Sequence, residues 1–302
     1  MENERVPDRS MTSGVLVVDK PIGLTSHQVV QIIRNGTNIK RAGHTGTLDP
    51  RASGVLVVLV GPAVRLSEYI SAEDKRYQAT IKLGEKTDTY DGDGTITGTS
   101  EVNVTREQFE EALKDFVGEI EQVPPPYSAI KVKGRRAYDM ARKGEEVELE
   151  ARTILVHSLE VIEWNLPEVV VDVHCSSGTY VRSLAYDLGE KLGCGANLTG
   201  LRRTKSGRFS LKDAQPLRKL SEEFENNTWF RHLIPAAEAL AEWPSITLTN
   251  EEVDLIRHGH RIPREILTDG LVRAITEQGE LVALMEPDMD ASEYQPKKVF
   301  FA

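Results

Sequence analysis

An uninterrupted apolar run, GVLVVLVG at residues 54–61, restricts the fold of this chain more than any other segment. A strand with one solvated face alternates apolar and polar residues, but this run is apolar throughout and is bounded by glycines. We therefore expect a strand that is covered on both faces by other parts of the protein. The segment YQATIKLG (77–84) alternates cleanly instead, which predicts a second strand with one buried side.

Three amphipathic segments have the periodicity of helices. Thr25 or Ser26 is placed to cap the first, and REQFEEALKDFVG (106–118) gives the second. The segment VVVDVHCSSGTYVRSLAYDLGEKLG (169–193) predicts a strand, a tight turn and a helix capped by Thr179. The apolar stripe of the first helix contains Val29, Val30, Ile32 and Ile33, and that of the third contains Val181, Leu184, Ala185, Leu188 and Leu192.

The character of the sequence changes near residue 245, after the segment LAEWP. Residues 245–302 predict one short helix and several small strands, which is typical of a compact β-rich unit. We expect residues 13–240 to form a larger domain and the polar residues 1–12 to be a disordered lead-in. Prolines, aromatic residues and basic residues are mixed in PPPYSAIKVKGRRAY (124–138), which suits an exposed arm.

The net charge of −10 argues against a protein whose whole surface binds nucleic acid. Basic residues are nevertheless concentrated in KVKGRRAYDMARK (131–143) and LRRTKSGR (201–208). Segments of this kind either follow a phosphate backbone locally or form ordinary solvated surface, and both interpretations stay open at this point.

Several classes of protein are excluded by what the sequence lacks. No apolar run is long enough to cross a membrane, and the N-terminus has no apolar signal segment. Cys175 and Cys194 form no Cys-x-x-Cys pair, which argues against a disulfide framework and a cysteine zinc site. These features predict a protein of the reducing cytoplasm without a membrane partner.

The segment KRAGHTGTLDPRASG, which leads into the apolar run, constrains one carboxylate closely. Pro50 forces the preceding Asp49 into extended geometry and so fixes its direction. Gly43 and Gly46 allow a loop that other residues could not follow. Asp49 is therefore a candidate functional residue, and an ordinary turn aspartate is the alternative.

Arg182 and Tyr77 are the other unusual positions. Arg182 falls in the first turn of its predicted helix, where the helix dipole disfavours a cation, so it should have an anion to pair with. That anion belongs either to a functional site or to a structural salt bridge. Tyr77 starts its strand on the apolar side, where it is either an ordinary core residue or a ring that lines a cleft.

Other chemistry-bearing motifs are not supported. His44 could ligate a metal, but no second ligand lies near it in the sequence, so no metal site is predicted. The glycines around Asp49 are not followed by the Gly-Lys-Ser/Thr of a phosphate loop, and no Gly-x-Ser-x-Gly elbow is present.

Six motifs occur in the order found in one known family. They are DKPIGLTSHQVV, GHTGTLDPRASGVLVV, DKRYQATIKLG, PPPYSAIKVKGRRAYDMARKGE, CSSGTYVRSLAYDLG and LRRTKSGRF. Together they resemble the bacterial tRNA pseudouridine-55 synthases, the TruB family of pseudouridine synthases. The resemblance extends from about Gly14 to Phe209, and residues 245–302 are similar to a PUA-type RNA-binding domain.

The resemblance implies an α+β protein with the pseudouridine synthase fold. This fold has a central mixed, largely antiparallel sheet flanked by helices, followed here by a small β-rich PUA-like C-terminal domain. The implied activity is that of an isomerase, which converts uridine 55 in the T loop of tRNA to pseudouridine without a cofactor or a metal. The base is flipped out of the RNA, detached, turned and rejoined through carbon 5, and Asp49 is the implied catalytic residue.

The resemblance also assigns substrate-binding residues. Tyr77 stacks on the target base and Arg182 pairs with Asp49. His44 occupies the gap left by displaced bases, and Tyr180 helps to hold the flipped nucleotide. An RNA-binding insertion lies at about 120–150, and its basic arm at 131–143 corresponds to a mobile element that closes on the RNA. Contacts to the RNA backbone are expected from Lys131, Lys133, Arg135, Arg136, Arg202 and Arg203. The expected partner is the T arm of tRNA, with no guide RNA and no obligate protein partner, and the chain is expected to be a monomer.

Three other functions share some of these features. The guide-RNA-directed pseudouridine synthase subunit of archaea and eukaryotes has the same catalytic core, but the basic insertion and the short C-terminal part favour the stand-alone type. A non-catalytic RNA-binding protein or tRNA-folding chaperone is disfavoured by Asp49, Tyr77 and Arg182, although a chaperone role could accompany catalysis. A small-molecule phosphate binder has only the glycines in its favour.

Overall fold

A large mixed β-sheet organises most of the chain in the computed structural model, which describes residues 12–128, 130–132, 134–145 and 148–300. The strands of this sheet and of three smaller ones are, in chain order, β1 (Gly14–Lys20), β2 (Ala42–His44), β3 (Ala52–Val60), β4 (Lys75–Leu83), β5 (Glu85–Thr87), β6 (Ile96–Thr99), β7 (Gly118–Gln122), β8 (Lys131–Val132), β9 (Arg135–Arg136), β10 (Arg152–Asn165), β11 (Glu168–Cys175), β12 (Ala196–Ser206), β13 (Phe209–Ser210), β14 (Gln215–Pro216), β15 (Ile234–Pro235), β16 (Ser245–Thr247), β17 (Ile262–Pro263), β18 (Val272–Ile275), β19 (Leu281–Asp288) and β20 (Glu293–Val299).

Helices accompany these strands. They are α1 (Ser26–Thr37), α2 (Ser67–Ala72), α3 (Arg106–Lys114), α4 (Ala137–Ala141), α5 (Val181–Lys191), α6 (Leu217–Glu225), α7 (Ala236–Ala239) and α8 (Asn250–Arg257), with 3₁₀ helices at Gly61–Leu66 and Trp229–His232. Strands of the large sheet follow the order β14-β1-β3-β12-β4-β11-β10-β7, and β2, β13 and β15 pair beside this path. Within the described residues, all neighbours in this large sheet are antiparallel except β1 with β14 and β3 with β12. The predicted α+β fold with a mixed, largely antiparallel sheet is therefore confirmed.

Strand β3 is buried on both faces, as its apolar run predicts. Leu56, Val58 and Val60 belong to one core, and Val55, Val57 and Leu59 belong to the core on the opposite face. Burying each aliphatic side chain contributes about 1.5–3 kcal/mol. The close contact of β3 with β12 requires glycine at position 54, since a Cβ there would lie 2.2 Å from the Arg203 carbonyl oxygen and φ is +99°.

A capping side chain fixes the N-terminus of α1, as the sequence predicts, but not that of α5. Thr25 caps α1 through a capping box with Gln28, in agreement with the prediction. The predicted cap Thr179 of α5 is wrong, because Tyr180 is the N-cap and contributes no side-chain hydrogen bond. Helix α5 therefore begins at Val181, and Arg182 still lies in its first turn.

The β-rich C-terminal part is confirmed as a second sheet with the order β16-β18-β19-β20-β17. Ile256 of α8 and Tyr294 of β20 lie in its own core. Leu281, Leu284 and Phe300 instead join the core that covers one face of β3. The C-terminal part thus packs against the large sheet, while the predicted domain limits of 13–240 and 245–302 stay a prediction.

The basic arm is only partly exposed. It contains the short hairpin of β8 and β9 and helix α4, whose Ala137 is buried. Pro124, Pro125 and Ser128 are buried as well, so the prediction of a wholly exposed arm over 124–138 is wrong at its beginning. Among the residues that the structure describes, no helix combines the length and apolar character that crossing a membrane requires.

Candidate active site

The loop that carries Asp49 is tied to its surroundings on both sides. The Leu48 amide donates to Ser26 Oγ at 2.8 Å, and Ser26 Oγ donates back to the Leu48 carbonyl at 3.0 Å. The Pro50 carbonyl accepts the Gly23 amide at 2.8 Å. Three hydrogen bonds to α1 and the loop before it therefore hold the backbone on either side of Asp49.

Lys20, at the end of β1, supports the same loop from inside the protein. Its side chain is fully buried, and its ammonium donates to the carbonyls of Pro21 and Leu24 at 2.8 and 2.6 Å. A longer contact of 3.5 Å reaches the Pro50 carbonyl. Burial lowers the pKa of Lys20 to about 8, against the opposing effect of the Asp49 charge. The three carbonyls give the buried ammonium the partners that it needs.

Arg182 joins the Asp49 loop to helix α5. Its Nε lies 3.2 Å from Asp49 Oδ2, as the resemblance implies. The Arg182 side chain is only 9% exposed, whereas 44% of the Asp49 side chain is exposed. The guanidinium is therefore fixed within the protein while the carboxylate stays open to a ligand.

A second carboxylate, Asp91, shares the same guanidinium, and sequence reasoning missed it. Arg182 Nη1 lies 3.2 Å from Asp91 Oδ2, and the Thr89 hydroxyl donates to Asp91 Oδ1 at 2.6 Å. The Gly92 amide binds the Leu198 carbonyl at 3.0 Å, which fixes this loop to β12. The signal was the segment TDTYDGDG (87–94), whose acids resemble ordinary background charge in the sequence.

Asp49, Tyr77, Tyr180 and Arg182 line one cleft with a volume of about 330 Å³. Tyr77 is 8% exposed and lies in β4 between Val173 of β11 and Arg203 of β12. Burial raises the pKa of its phenol. The predicted residues Asp49, Tyr77 and Arg182, which are far apart in the sequence, are thus brought together.

Tyr180 is held in the cleft by its own backbone. The Tyr180 amide donates to Gln122 Oε1 at 2.8 Å, and Gln122 Nε2 donates to the Tyr180 carbonyl at 3.1 Å. Burial raises the pKa of its phenol. His44, by contrast, ends β2 and is not among the residues that line the cleft. Burial lowers the pKa of the His44 imidazole, and the charges of Arg203 and His27 act in the same direction.

Arg203 does not fit the predicted contact with an RNA backbone. Its side chain is 2% exposed and donates to the carbonyls of Val55 at 2.7 Å and Gly46 at 3.1 Å. A Cβ at Gly46 would lie 3.3 Å from the guanidinium, so any larger residue there would require Arg203 to shift. Arg203 is a structural residue that fixes the Asp49 loop against β3.

Two other candidate RNA contacts, Arg202 and Arg135, lie at the surface. Arg202 binds Asp19 at 2.8 Å and lines a second cleft of about 440 Å³ that also contains Arg51. Arg135 pairs with both carboxylate oxygens of Glu145 at 2.7 and 2.8 Å. Lys133 lies outside the described residues, as do the side chains of Lys131 and Arg136.

Models of known protein families match almost the whole chain. Residues 34–181 match the TruB family pseudouridylate synthase N-terminal domain, and residues 182–241 match the tRNA pseudouridylate synthase B C-terminal domain. Residues 243–300 match the C-terminal part of tRNA pseudouridine synthase II.

Individual related proteins match this chain over more than four fifths of both lengths. The chain is 43% identical to tRNA pseudouridine synthase B of Thiobacillus denitrificans over 93% of this chain and 94% of that protein. It is 43% identical to the protein of the same name from Clostridium tetani over 85% and 88% of the two chains.

Solved structures agree with this assignment. A chain in an H/ACA RNP bound to a substrate RNA containing 2'-deoxyuridine has a TM-score of 0.73 and 29% identity, over 96% of this chain and 85% of that one. A chain in a Cbf5-Nop10-Gar1 complex has a TM-score of 0.74 and 30% identity, over 95% and 85%. The family model, the relatives and the fold lead to one conclusion: the chain belongs to the TruB family of pseudouridylate synthases.

Proposed function

We propose that this chain is an isomerase that converts uridine 55 in the T loop of tRNA to pseudouridine. The N1–C1′ bond breaks, a C5–C1′ bond forms, the C5 hydrogen is lost to water and N1 gains a proton. Uridine and pseudouridine have the same composition and oxidation state, so the reaction requires no oxidant, reductant or energy donor. The names of the relatives, tRNA pseudouridine synthase B, support tRNA as the substrate class.

The observation that carries the proposal is the partly exposed Asp49 carboxylate beside a buried guanidinium. Arg182 contacts Asp49 through Nε at 3.2 Å, and 44% of the Asp49 side chain remains accessible from the cleft. A carboxylate that is oriented by one buried partner and open to a ligand is suited to act on a bound nucleotide. Asp49 is the catalytic residue of the proposal.

The size of the cleft supports base flipping. A uridine inside structured RNA must leave its stack before its glycosidic bond can be reached, at a cost of a few kcal/mol. The cleft volume of about 330 Å³ lies in the range of about 300–1,000 Å³ found for small-ligand sites. Stacking on the Tyr77 ring would return about 1–3 kcal/mol.

The remaining residues act on the RNA around the flipped base. Tyr180 holds the nucleotide from the α5 side of the cleft, and His44 fills the gap that the base leaves in the RNA. Arg135 and Arg202 exchange their present partners, Glu145 and Asp19, for phosphate oxygens. Lys131, Lys133 and Arg136 extend this contact along the basic arm.

A guide-directed activity is the second candidate, because chains of H/ACA and Cbf5 complexes share this fold at TM-scores of 0.73 and 0.74. The bacterial relatives favour the stand-alone activity, since they match at 43% identity over more than four fifths of both chains. A tRNA transcript incubated with the purified protein and no other RNA separates the two. We expect pseudouridine at position 55 without a guide, whereas guide dependence would favour the second candidate.

Tritium release from 5-tritiated uridine in the tRNA measures the reaction at the target base. Asp49→Asn keeps the size of the side chain but removes its charge, and we expect release to fall to background. Asp254→Asn makes the same change on an exposed carboxylate of α8, whose side chain is 70% exposed, and should leave release unchanged. Wild-type release by the Asp49→Asn enzyme would refute the catalytic assignment.

A further inference from the structure

Asp74, His157 and His174 meet at one end of the large sheet, and the proposed reaction uses none of them. One ligand atom from each side chain, a ring nitrogen or a carboxylate oxygen, lies within 4.8 Å of the other two. Asp74 Oδ2 is 2.9 Å from His157 Nε2 and 3.9 Å from His174 Nε2. All three side chains are partly exposed, so an ion in solvent can reach them.

A β-bulge in β10 brings the two imidazoles together. Val156 pairs with Cys175 and Ser158 pairs with His174, so His157 is the extra residue between these pairs. Its ring lies 4.5 Å from the His174 ring, measured between centroids. Bulges of this kind re-aim a side chain and are frequent near functional sites.

Asp74 adds a carboxylate from the residue just before a third strand, β4. It directly precedes Lys75, the first residue of β4, and Lys75 pairs with Cys175 of β11. The Asp74 carbonyl accepts the Gly207 amide at 2.8 Å, which fixes the backbone at this point. His174 is therefore positioned by strand pairing, His157 by the bulge beside it, and Asp74 by its backbone contact at the start of β4.

We propose that Asp74, His157 and His174 bind a divalent transition-metal ion of the Zn²⁺ class. Two imidazole nitrogens and one carboxylate oxygen, with water at the fourth position, form a recurrent ligand set for Zn²⁺ at bond lengths of about 2.0–2.2 Å. Tetrahedral ligands at that length are about 3.4 Å apart. The observed separations of 2.9 and 3.9 Å lie on either side of this value, so small side-chain rotations complete the site.

The surrounding charges leave the site available to a cation. Arg76 pairs with His174 across β4 and β11. Its guanidinium forms an ion pair with Asp172 at 2.5 Å, which partly neutralises its charge. Lys205 of β12 lies next to Arg76. Lys75, the chain neighbour of Asp74, is a third nearby cation, and its ammonium donates to the carbonyls of Ser71 and Glu73. The Asp74 carboxylate supplies one negative ligand that offsets part of the charge of the ion. Mg²⁺ and Ca²⁺ prefer oxygen ligands and are not expected here.

A bound ion would connect β4, β10 and β11 beside the cleft, since Lys75, the neighbour of Asp74, lines it. An ion that binds the folded chain and not the unfolded one raises the melting temperature. Zn²⁺ should therefore stabilise the wild-type protein more than variants that lack a ligand. This effect is independent of activity on RNA.

Isothermal titration of the full chain with Zn²⁺, on protein purified without a polyhistidine tag, tests the site. We expect wild type to bind Zn²⁺ and His157→Ala and His174→Ala each to bind it at least about tenfold more weakly. Mg²⁺ should give no binding to these residues. The matched control is His258→Ala with His260→Ala, which removes a surface pair with ring centroids 6.5 Å apart and should not change the affinity.

Two further measurements keep the proposal open to refutation if an alanine variant disturbs the sheet. Asp74→Asn keeps the size of the side chain and should also weaken Zn²⁺ binding. Co²⁺ should give the absorption bands of a tetrahedral site in the wild-type protein, and His157→Ala and His174→Ala should each lose these bands. Equal Zn²⁺ affinity in wild type and in all three ligand variants would show that the cluster is only a hydrogen-bonded His–Asp pair, and the proposal would be wrong.

Discussion

Arg182 organises the candidate site because a single guanidinium meets acceptors from three parts of the chain. It contacts the carboxylates of Asp49 and Asp91 at 3.2 Å each, and the carbonyls of Thr89 and Tyr127 at 3.3 and 3.0 Å. A planar fork with several donors can hold these groups together, whereas the compact ammonium of lysine cannot. The orientation of Asp49 therefore depends on arginine itself and not only on a positive charge.

We predict that Arg182→Lys lowers kcat for pseudouridine formation by about 100-fold, the effect expected when a catalytic group is misplaced by about 1 Å. Single-turnover tritium release gives the rate, and thermal unfolding shows how much of the change is loss of folded protein. Arg218→Lys, at a side chain that is 92% exposed, is the matched control and should keep the wild-type rate. A wild-type rate in Arg182→Lys would mean that charge alone is sufficient.

Asp187 lies on the same helix as Arg182, and the folded protein disfavours the ionised form of its carboxyl. Burial, with the neighbouring charge of Glu190, raises the pKa of its carboxyl from 3.8 to about 6. The folded protein thus holds the proton more tightly than the unfolded chain does. The destabilisation by Asp187 therefore grows as the pH rises from about 4 to about 6, and it stays constant above that range.

Asp187→Asn should accordingly raise the melting temperature at pH 7.5 and have a much smaller effect at pH 4, where the carboxyl is still protonated in the folded protein and only about half ionised in the unfolded chain. Thermal unfolding at the two pH values, compared with wild type, measures the difference. Asp254→Asn, at a side chain of α8 that is 70% exposed, is the matched control for the substitution itself. An equal shift at both pH values would mean that the ionisation of Asp187 does not affect stability.

At the scale of helices and strands, the sequence predicts those features that depend on residues close together in the chain. The apolar run of β3, the alternation of β4 and the Thr25 cap of α1 each depend on residues that are close in the chain. The cap of α5 could not be predicted in this way, because the turn before it is fixed by Gln122, 58 residues away. Thr179 has the right chemistry for a cap, but it lies one position too early.

The residues of the candidate site also fall into two groups: those that the local sequence identifies and those that only the tertiary structure identifies. Asp49 was identifiable because Pro50 and two glycines constrain it locally, and Tyr77 and Arg182 because their positions on their own elements are unusual. Asp91 was not identifiable, since only the fold brings its carboxylate to Arg182. Arg203 resembles a surface cation in the segment LRRTKSGR, but its partners are carbonyls in β3 and the Asp49 loop, which only the tertiary structure places around it.

At the scale of the whole molecule, the net charge of −10 opposes the approach of an RNA backbone. Binding must therefore rest on a local group of cations. The surface candidates are Arg202 and Arg135, and the sequence adds three cations of the arm, Lys131, Lys133 and Arg136. Arg202 and Arg135 are paired with carboxylates in the free protein, so RNA must displace these partners.

Five phosphate contacts of this kind predict a steep dependence of tRNA affinity on salt. Each contact contributes about −0.7 to −0.9 to the slope of log K against log salt concentration, which gives a total of about −3.5 to −4.5. Fluorescence anisotropy with labelled tRNA between 50 and 200 mM KCl, a range in which such a slope is measurable, gives this value. Arg135→Ala should reduce its magnitude by about one contact, whereas Arg218→Ala on α6 should leave it unchanged. A slope near zero for wild type would mean that base stacking and shape, and not these cations, provide the affinity.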